Sequence, residues 1–83
     1  MFYFYILKSK KIGKYYIGST ENFENRLKLH NSGMVKSTKS SKPWQPVLIQ
    51  NFPTLREARR MEMKVKKWKS RKAIERLVKT FNF

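Results

Sequence analysis

The sequence feature that most constrains the fold is an unbroken run of aromatic and aliphatic residues from Phe2 to Leu7. Neighbouring side chains of a strand point to opposite faces, so this strand is apolar on both faces. Such a strand has to be covered on both sides, which predicts the centre of a sheet. The chain has 83 residues, enough for one domain with a thin stability margin, and we expect residues 1–83 to form it.

Two further strands complete the predicted sheet. Lys14–Gly18 follows a short basic turn and would pair with the first strand as an antiparallel hairpin. Val47–Ile49 continues towards Phe52 and would form a third strand, which Pro53 ends.

The first of three predicted helices runs from Glu21 to Asn31 and ends at Gly33. Ser19 or Thr20 would cap its N-terminus.

A capping box marks the second helix, because the Thr54 hydroxyl and the Glu57 carboxylate can each accept a backbone N–H. This helix is predicted to end at Trp68, and Ser70 would cap a third helix. The predicted buried stripes are Ala58, Met61, Val65 and Trp68 on the second helix, and Ile74, Leu77, Val78 and Phe81 on the third. The fold class is α/β: a three-stranded antiparallel sheet flanked by helices in the order ββαβαα.

Charge restricts the partner. Twenty Lys and Arg residues face five acids, for a formal charge of +15. A polyanion, and nucleic acid above all, is the expected partner. No apolar run approaches the roughly 20 residues of a spanning helix, so no membrane is expected and the cytoplasm is the default location.

The residue inventory excludes several kinds of enzyme. The chain has no Cys, no Asp and one His, so neither a Cys/His zinc site nor a Ser-His-Asp triad can form within it. An enzyme built from this sequence has to use Glu, Tyr and Arg.

Glu62 is the most informative acid because it lies on the apolar side of its predicted helix. It could be a divalent-metal ligand or a partner in an ion pair with a basic neighbour. Arg26 and His30, four residues apart on the first helix, face the same way. Arg26 could stabilise phosphoryl-transfer charge or be a surface cation, and His30 could be a site residue or a packed core histidine.

Tyr5 and Tyr16 lie on the two strands of the hairpin and could be core residues. If the strands pair as predicted, both phenols can meet Arg26 and Glu62 at one end of the hairpin. A positive field favours phenolate and would lower a tyrosine pKa, which makes a tyrosine a candidate general base.

The segment Gly33–Pro46 is polar and basic, and it is either a flexible connector or a phosphate-contacting loop anchored by Trp44. The predicted nucleic-acid contacts of the chain are Lys36, Thr38, Lys39, Lys42, Lys66 and Lys67.

Taken in order, several short motifs resemble those of the GIY-YIG endonuclease superfamily, especially its small stand-alone bacterial members. The matching residues are Tyr3–Leu7, Tyr16–Thr20, Asn25–Leu27, His30–Gly33, Lys36, Thr38, Glu57–Ala58, Glu62 and Lys66–Lys67. Each motif is weak alone, whereas their order and spacing are specific. Tyr3 stands where many members have a glycine.

The resemblance implies a site of Tyr5, Tyr16, Arg26, His30 and Glu62, with Glu62 holding one Mg²⁺ or Mn²⁺. It further implies that a water attacks the phosphodiester with help from a tyrosine. We assign that role to Tyr5, although the two tyrosines could be exchanged. Many members carry an asparagine some way after the glutamate, and Asn82 lies too near the chain end to be taken as its counterpart.

The predicted function is a divalent-metal-dependent endonuclease that hydrolyses DNA, with branched or damaged DNA as candidate substrates. We expect low intrinsic specificity, or specificity supplied by a protein partner. The alternatives are a non-catalytic nucleic-acid-binding module of the same fold and a small basic structural protein.

Overall fold

A computed structural model describes residues 1–81, so Asn82 lies outside the described part of the chain. Its elements are β1 (Phe2–Ser9), β2 (Tyr15–Thr20), α1 (Phe23–Ser32), a 3₁₀ turn (Lys39–Ser41), β3 (Trp44–Phe52), α2 (Leu55–Trp68) and α3 (Arg71–Phe81). The predicted ββαβαα order is confirmed. Within residues 1–81, none of the helices combines the length and the apolar character needed to cross a membrane.

The sheet has the strand order β2-β1-β3, with both pairs antiparallel. The predicted central position of β1 is therefore confirmed. Its register places Tyr5 opposite Gly18 on one side and Ile49 on the other. Because β2 is an edge strand, side chains from both faces of the sheet can meet beside it.

Two apolar clusters cover the two faces of β1. On the face packed against α2 and α3, the cluster is Phe4, Ile6, Ile17, Leu48 and Val65. On the face packed against α1, the cluster is Tyr5, Leu7 and Trp44, with Tyr16, Phe23 and Leu27 partly buried around it. The alternation along β1 therefore divides a small core into two halves, one of which contains Tyr5 and Tyr16.

The third strand begins at Trp44, three residues earlier than predicted. Pro46 lies inside β3 opposite Leu7, and the register shifts between Ile6 and Leu7. Proline lacks the N–H that a regular ladder needs, so an irregularity absorbs it at this edge strand. Trp44 is buried, and its indole Nε1 donates to the Thr38 carbonyl oxygen over 3.0 Å. It therefore anchors the loop from inside the core.

The helix boundaries differ from prediction in two places. The N-cap of α1 is Asn22, whose Oδ1 accepts the Asn25 N–H over 3.1 Å, so the prediction of Ser19 or Thr20 was wrong. Ser19 and Thr20 instead continue β2. Trp68 and Phe81 were predicted to be buried, but 37% and 52% of their surfaces are exposed, and each is the last residue of its helix.

The helix ends predicted at Thr54 and Gly33 are confirmed, whereas the second bond of the capping box, from the Thr54 N–H to the Glu57 carboxylate, is not formed among the described residues. The Thr54 side chain accepts the Glu57 N–H over 3.2 Å. Gly33 has a left-handed backbone with φ 83°, a conformation that glycine adopts without steric cost. This residue turns the chain from α1 into the basic loop.

Candidate active site

Tyr5 lies at the centre of the site and is 1% exposed. Its ring crosses β2 directly over Gly18. A Cβ atom at Gly18 would lie 2.6 Å from the Tyr5 hydroxyl oxygen and 2.7 Å from Cζ, closer than real contacts allow. Gly18 is therefore a site residue that the sequence analysis missed, although a glycine inside a strand is a known signal of close approach.

His30 links this phenol to the basic loop. Its Nε2 lies 3.2 Å from the Tyr5 hydroxyl, and its Nδ1 lies 2.8 Å from Thr38 Oγ1. Burial, and secondarily the charge of Arg26, lower the pKa of His30 from 6.5 to about 4. The imidazole is consequently neutral at physiological pH.

Tyr16 packs beside both of these side chains. Its ring centroid is 4.7 Å from that of His30 and 6.3 Å from that of Tyr5. Unlike Tyr5, Tyr16 is partly exposed. The two phenols therefore differ in their access to solvent.

Arg26 joins the two phenols. Its guanidinium interacts with the side chains of Tyr5 and Tyr16, and the hydrogen bond to Tyr5 is the main reason why the pKa of Arg26 is raised above its usual value. Since Arg26 is only half-buried, its positive charge is both oriented by the phenols and accessible. The structure thus brings Tyr5, Tyr16, Arg26 and His30 together.

Glu62 reaches the same edge strand from α2, the helix that covers the other face of the sheet. Ser19 Oγ donates to Glu62 Oε1 over 2.5 Å, and the Lys66 ammonium contacts Oε2 over 2.5 Å. Ser19 directly follows Gly18, so adjacent residues of β2 bind Glu62 and accommodate Tyr5. The Glu62 charge makes the smallest of several contributions to the pKa of Tyr5, and it raises that pKa.

From the sequence, Glu62 could be either a divalent-metal ligand or the partner of a basic neighbour, and the structure shows an ion pair with Lys66. The carboxylate also binds Ser19, the neighbour of the glycine that Tyr5 contacts. Ser19 was considered only as a helix cap in the sequence, because nothing in the spacing of β2 and α2 indicated which residues would meet.

The expected lowering of a tyrosine pKa is wrong for Tyr5. Burial is the largest influence and raises the Tyr5 pKa, and the nearby Tyr16 and Glu62 raise it further. The hydrogen bond and charge of Arg26 act in the opposite direction but are outweighed. A net charge of +15 does not control a phenol that water cannot reach.

The predicted nucleic-acid contacts fall into two groups. Five are exposed lysines, of which Lys66 is paired with Glu62: Lys36, Lys39, Lys42, Lys66 and Lys67. The prediction for Thr38 needs correction, because this residue is 1% exposed and its hydroxyl contacts His30 instead of the surface.

A metal at this site would have to rely on few protein ligands. Among the described residues, no group of three or more His, Cys, Asp or Glu side chains could hold an ion. One carboxylate is nevertheless compatible with Mg²⁺, which usually keeps several waters and takes substrate phosphate oxygens as ligands. The Glu62 carboxylate therefore fits such an ion. Its Oε1 is held by Ser19, and its Oε2 is paired with Lys66, which an ion could displace.

The sequence matches the family model of the GIY-YIG catalytic domain over residues 1–75. The chain therefore belongs to the GIY-YIG family, which is a family of nuclease domains acting on nucleic acid.

Within that class, the chain is similar to bacterial UPF0213 proteins. The UPF0213 protein of Bacillus licheniformis is 42% identical over 77 residues, which span 92% of this chain and 77% of that protein. The UPF0213 protein of Bacillus pumilus is 38% identical over 71 residues, spanning 84% of this chain and 71% of that protein. The solution NMR structure of UPF0213 protein BH0048 from Bacillus halodurans gives a TM-score of 0.62 at 38% identity, covering 98% of this chain and 86% of that chain.

The contact between Tyr5 and Gly18 predicts that Gly18→Ala is destabilising by about 1–3 kcal/mol, because the added methyl group forces the phenol to move. Urea unfolding measures this change in free energy. Adding Tyr5→Phe removes the closest of the clashing atoms, so it should reduce the cost of Gly18→Ala in a double-mutant cycle. Equal stability of Gly18→Ala and the wild type would contradict the contact.

His30 predicts a pH dependence of folding. The unfolded chain binds a proton at His30 below its ordinary pKa of 6.5, whereas the folded chain does so only near pH 4. Stability is therefore complete above pH 6.5 and decreases as the pH falls towards 4, by at most about 3 kcal/mol. Urea unfolding at pH 7.5 and 5.0 measures the loss.

Because His30 is the one histidine of the chain, His30→Gln is the matched control. It retains the five glutamates and removes only the imidazole. The difference in pH slope between the wild type and His30→Gln isolates this contribution. Identical slopes would show that His30 is not held neutral.

Proposed function

We propose that this chain is a divalent-metal-dependent endonuclease that hydrolyses phosphodiester bonds of DNA. The observation that carries the proposal is the geometry of β2. Gly18 accommodates the Tyr5 phenol and Ser19 binds the Glu62 carboxylate, so opposite faces of the sheet contribute to one place at its edge. A long polyanion can approach an edge strand from outside, and the charge of +15 attracts it.

Arg26 and Glu62 provide complementary electrostatics. The Arg26 guanidinium is oriented by two phenols and would stabilise the extra negative charge of a phosphoryl transition state. Glu62 would hold Mg²⁺ or Mn²⁺ through a hard oxygen ligand, and the ion would supply neutralisation of phosphate charge.

The structure favours Tyr16 over Tyr5 as the tyrosine that contacts the attacking water. Tyr5 is buried, has a raised pKa and has its hydroxyl engaged by His30. Tyr16 is partly exposed and lies beside the same guanidinium. We therefore assign Tyr5 to the orientation of Arg26 and Tyr16 to the water, exchanging the roles expected from the sequence.

The exposed lysines at 36, 39, 42 and 67 would contact the phosphate backbone without reading bases. Specificity would then come from the shape of branched or damaged DNA, or from a protein partner. Binding of this kind weakens steeply with salt, because each neutralised phosphate releases counterions.

The proposed reaction predicts that purified protein cleaves plasmid and branched DNA in Mg²⁺ or Mn²⁺. Glu62→Gln and Arg26→Ala should each reduce the rate about 10²–10³-fold, the usual effect of removing one transition-state contact. Glu75→Gln is the matched control, since Glu75 pairs with Arg71 on α3. Cleavage that persists unchanged in Glu62→Gln would refute the proposal.

A second candidate, a nucleic-acid-binding module without turnover, is favoured by one observation. Lys66 already neutralises Glu62 Oε2, as a structural ion pair would require. This module would bind DNA with the same salt dependence but would not bind a divalent ion at Glu62.

The two candidates differ in their response to Lys66→Met. If Glu62 is a metal ligand, Lys66 competes with the ion, and its removal should tighten Mn²⁺ binding about 3- to 10-fold, as expected for a partly exposed ion pair. Paramagnetic broadening of the Ser19 and Glu62 NMR signals during a Mn²⁺ titration gives the dissociation constant. Lys67→Met, a neighbouring exposed lysine, is the control, and the absence of saturable Mn²⁺ broadening at Ser19 and Glu62 in the wild type and both variants would favour the binding module.

A further inference from the structure

Three buried polar side chains form a continuous chain of hydrogen bonds behind the site. Tyr5, His30 and Thr38 are 1%, 0% and 1% exposed. The Tyr5 hydroxyl contacts His30 Nε2, and His30 Nδ1 contacts Thr38 Oγ1. The hydroxyl of Thr38 in turn lies 3.3 Å from the Val35 carbonyl oxygen.

The requirement that each buried polar group be satisfied sets the direction of these bonds. The buried Tyr5 hydroxyl lies 3.2 Å from His30 Nε2, its hydrogen-bond partner among residues 1–81, and the Arg26 guanidinium that interacts with this phenol can only donate. The hydrogen of that hydroxyl therefore needs the lone pair of His30 Nε2 as its acceptor. A neutral imidazole with a lone pair at Nε2 carries its hydrogen at Nδ1.

Thr38 completes the same pattern from the other end. Its hydroxyl can donate to the Val35 carbonyl, which leaves an oxygen lone pair to accept the His30 Nδ1–H at 2.8 Å. With the opposite tautomer, Nε2–H and the guanidinium would both donate to the Tyr5 oxygen, and the buried Tyr5 hydrogen would lose its acceptor. Leaving such a group unsatisfied is costly.

We infer that Thr38 is a positioning residue: its hydroxyl fixes His30 in the Nδ1–H tautomer, so that Nε2 accepts from Tyr5 and the Tyr5 oxygen is directed at Arg26. Thr38 then acts on the guanidinium through two intervening side chains, without contact with substrate. The catalytic consequence rests on the proposed nuclease function, whereas the bond directions do not depend on it.

The groups around His30 keep its imidazole in the neutral form. The titratable or charged groups facing it are Tyr5 on β1, Tyr16 on β2 and Arg26 on α1. Arg26 disfavours an imidazolium, and burial adds to that effect. The ring is therefore a fixed donor and acceptor pair at neutral pH, and its tautomer decides which way the Tyr5 hydroxyl points.

The direct test is ¹⁵N NMR of the side chain of His30 in the full chain at pH 7.5. A single histidine gives one set of signals. We expect a protonated Nδ1 and an unprotonated Nε2 in the wild type. Thr38→Ser, which retains the hydroxyl, should keep this tautomer, whereas Thr38→Val, which replaces it with a methyl group, should move the population towards Nε2–H.

The kinetic test uses the same variants with DNA. Thr38→Val should lower kcat about 10- to 100-fold, the usual cost of a misplaced catalytic group, and leave KM unchanged because the surface lysines still bind the backbone. Thr38→Ser should restore kcat to within a few-fold of the wild type.

The outcomes separate this inference from the nuclease proposal. A wild-type spectrum with the hydrogen at Nε2 overturns the inference, and this measurement does not require that Thr38→Val fold. A tautomer unchanged by Thr38→Val, or a kcat unchanged by it, also overturns the role of Thr38. If the wild type has the Nδ1–H tautomer but Glu62→Gln leaves cleavage unaffected, the bond directions stand and the proposed nuclease reaction fails.

Discussion

The site depends on the place where Tyr5 crosses β2 without meeting a Cβ atom. At any other residue type the Gly18 side chain would overlap the phenol, because its Cβ would lie 2.6 Å from the hydroxyl oxygen. This close approach brings the Tyr5 oxygen from the middle of the sheet to its edge. There it meets Arg26 and His30 from α1, and it lies within the electrostatic influence of Glu62 from α2. The absence of a Cβ atom at Gly18 therefore allows Tyr5 to reach the edge strand, where residues from the two faces of the sheet are adjacent.

Burial and net charge act in opposite directions on this phenol, and burial prevails. The chain carries a charge of +15, yet the Tyr5 pKa is raised and the His30 pKa falls to about 4. Surface lysines are screened by water and salt, whereas a buried group responds to the atoms in contact with it. The positive charge therefore attracts a polyanion to the edge strand, while the protonation states of Tyr5 and His30 are set locally. Both groups are neutral at the pH at which the lysines are charged.

Sequence patterns predicted the elements better than the contacts between them. The apolar run at Phe2–Leu7 correctly indicated a central strand because burial on both faces leaves a direct trace in composition. The helix ends at Thr54 and Gly33 were predicted correctly, because each depends only on residues close to it in the sequence. By contrast, the bond from Ser19 to Glu62 joins residues 43 apart, and the burial of Thr38 depends on how the loop folds over α1. Neither follows from spacing along the chain. The Tyr5 pKa was misjudged for the same reason, since its exposure was unknown.

A chain of 83 residues can bury only a small core, and this explains why the residues that support the candidate site are also core residues. Tyr5 and Trp44 belong to the apolar cluster under α1, and His30 and Thr38 are buried beside them. Polar groups in such a place have to be paired with one another, since leaving any of them unpaired would cost a large part of a thin stability margin. The pairing from Tyr5 to Thr38 meets that need and at the same time fixes the direction of the phenol. Stability and orientation are therefore supplied by the same hydrogen bonds, and a change at Thr38 should affect both.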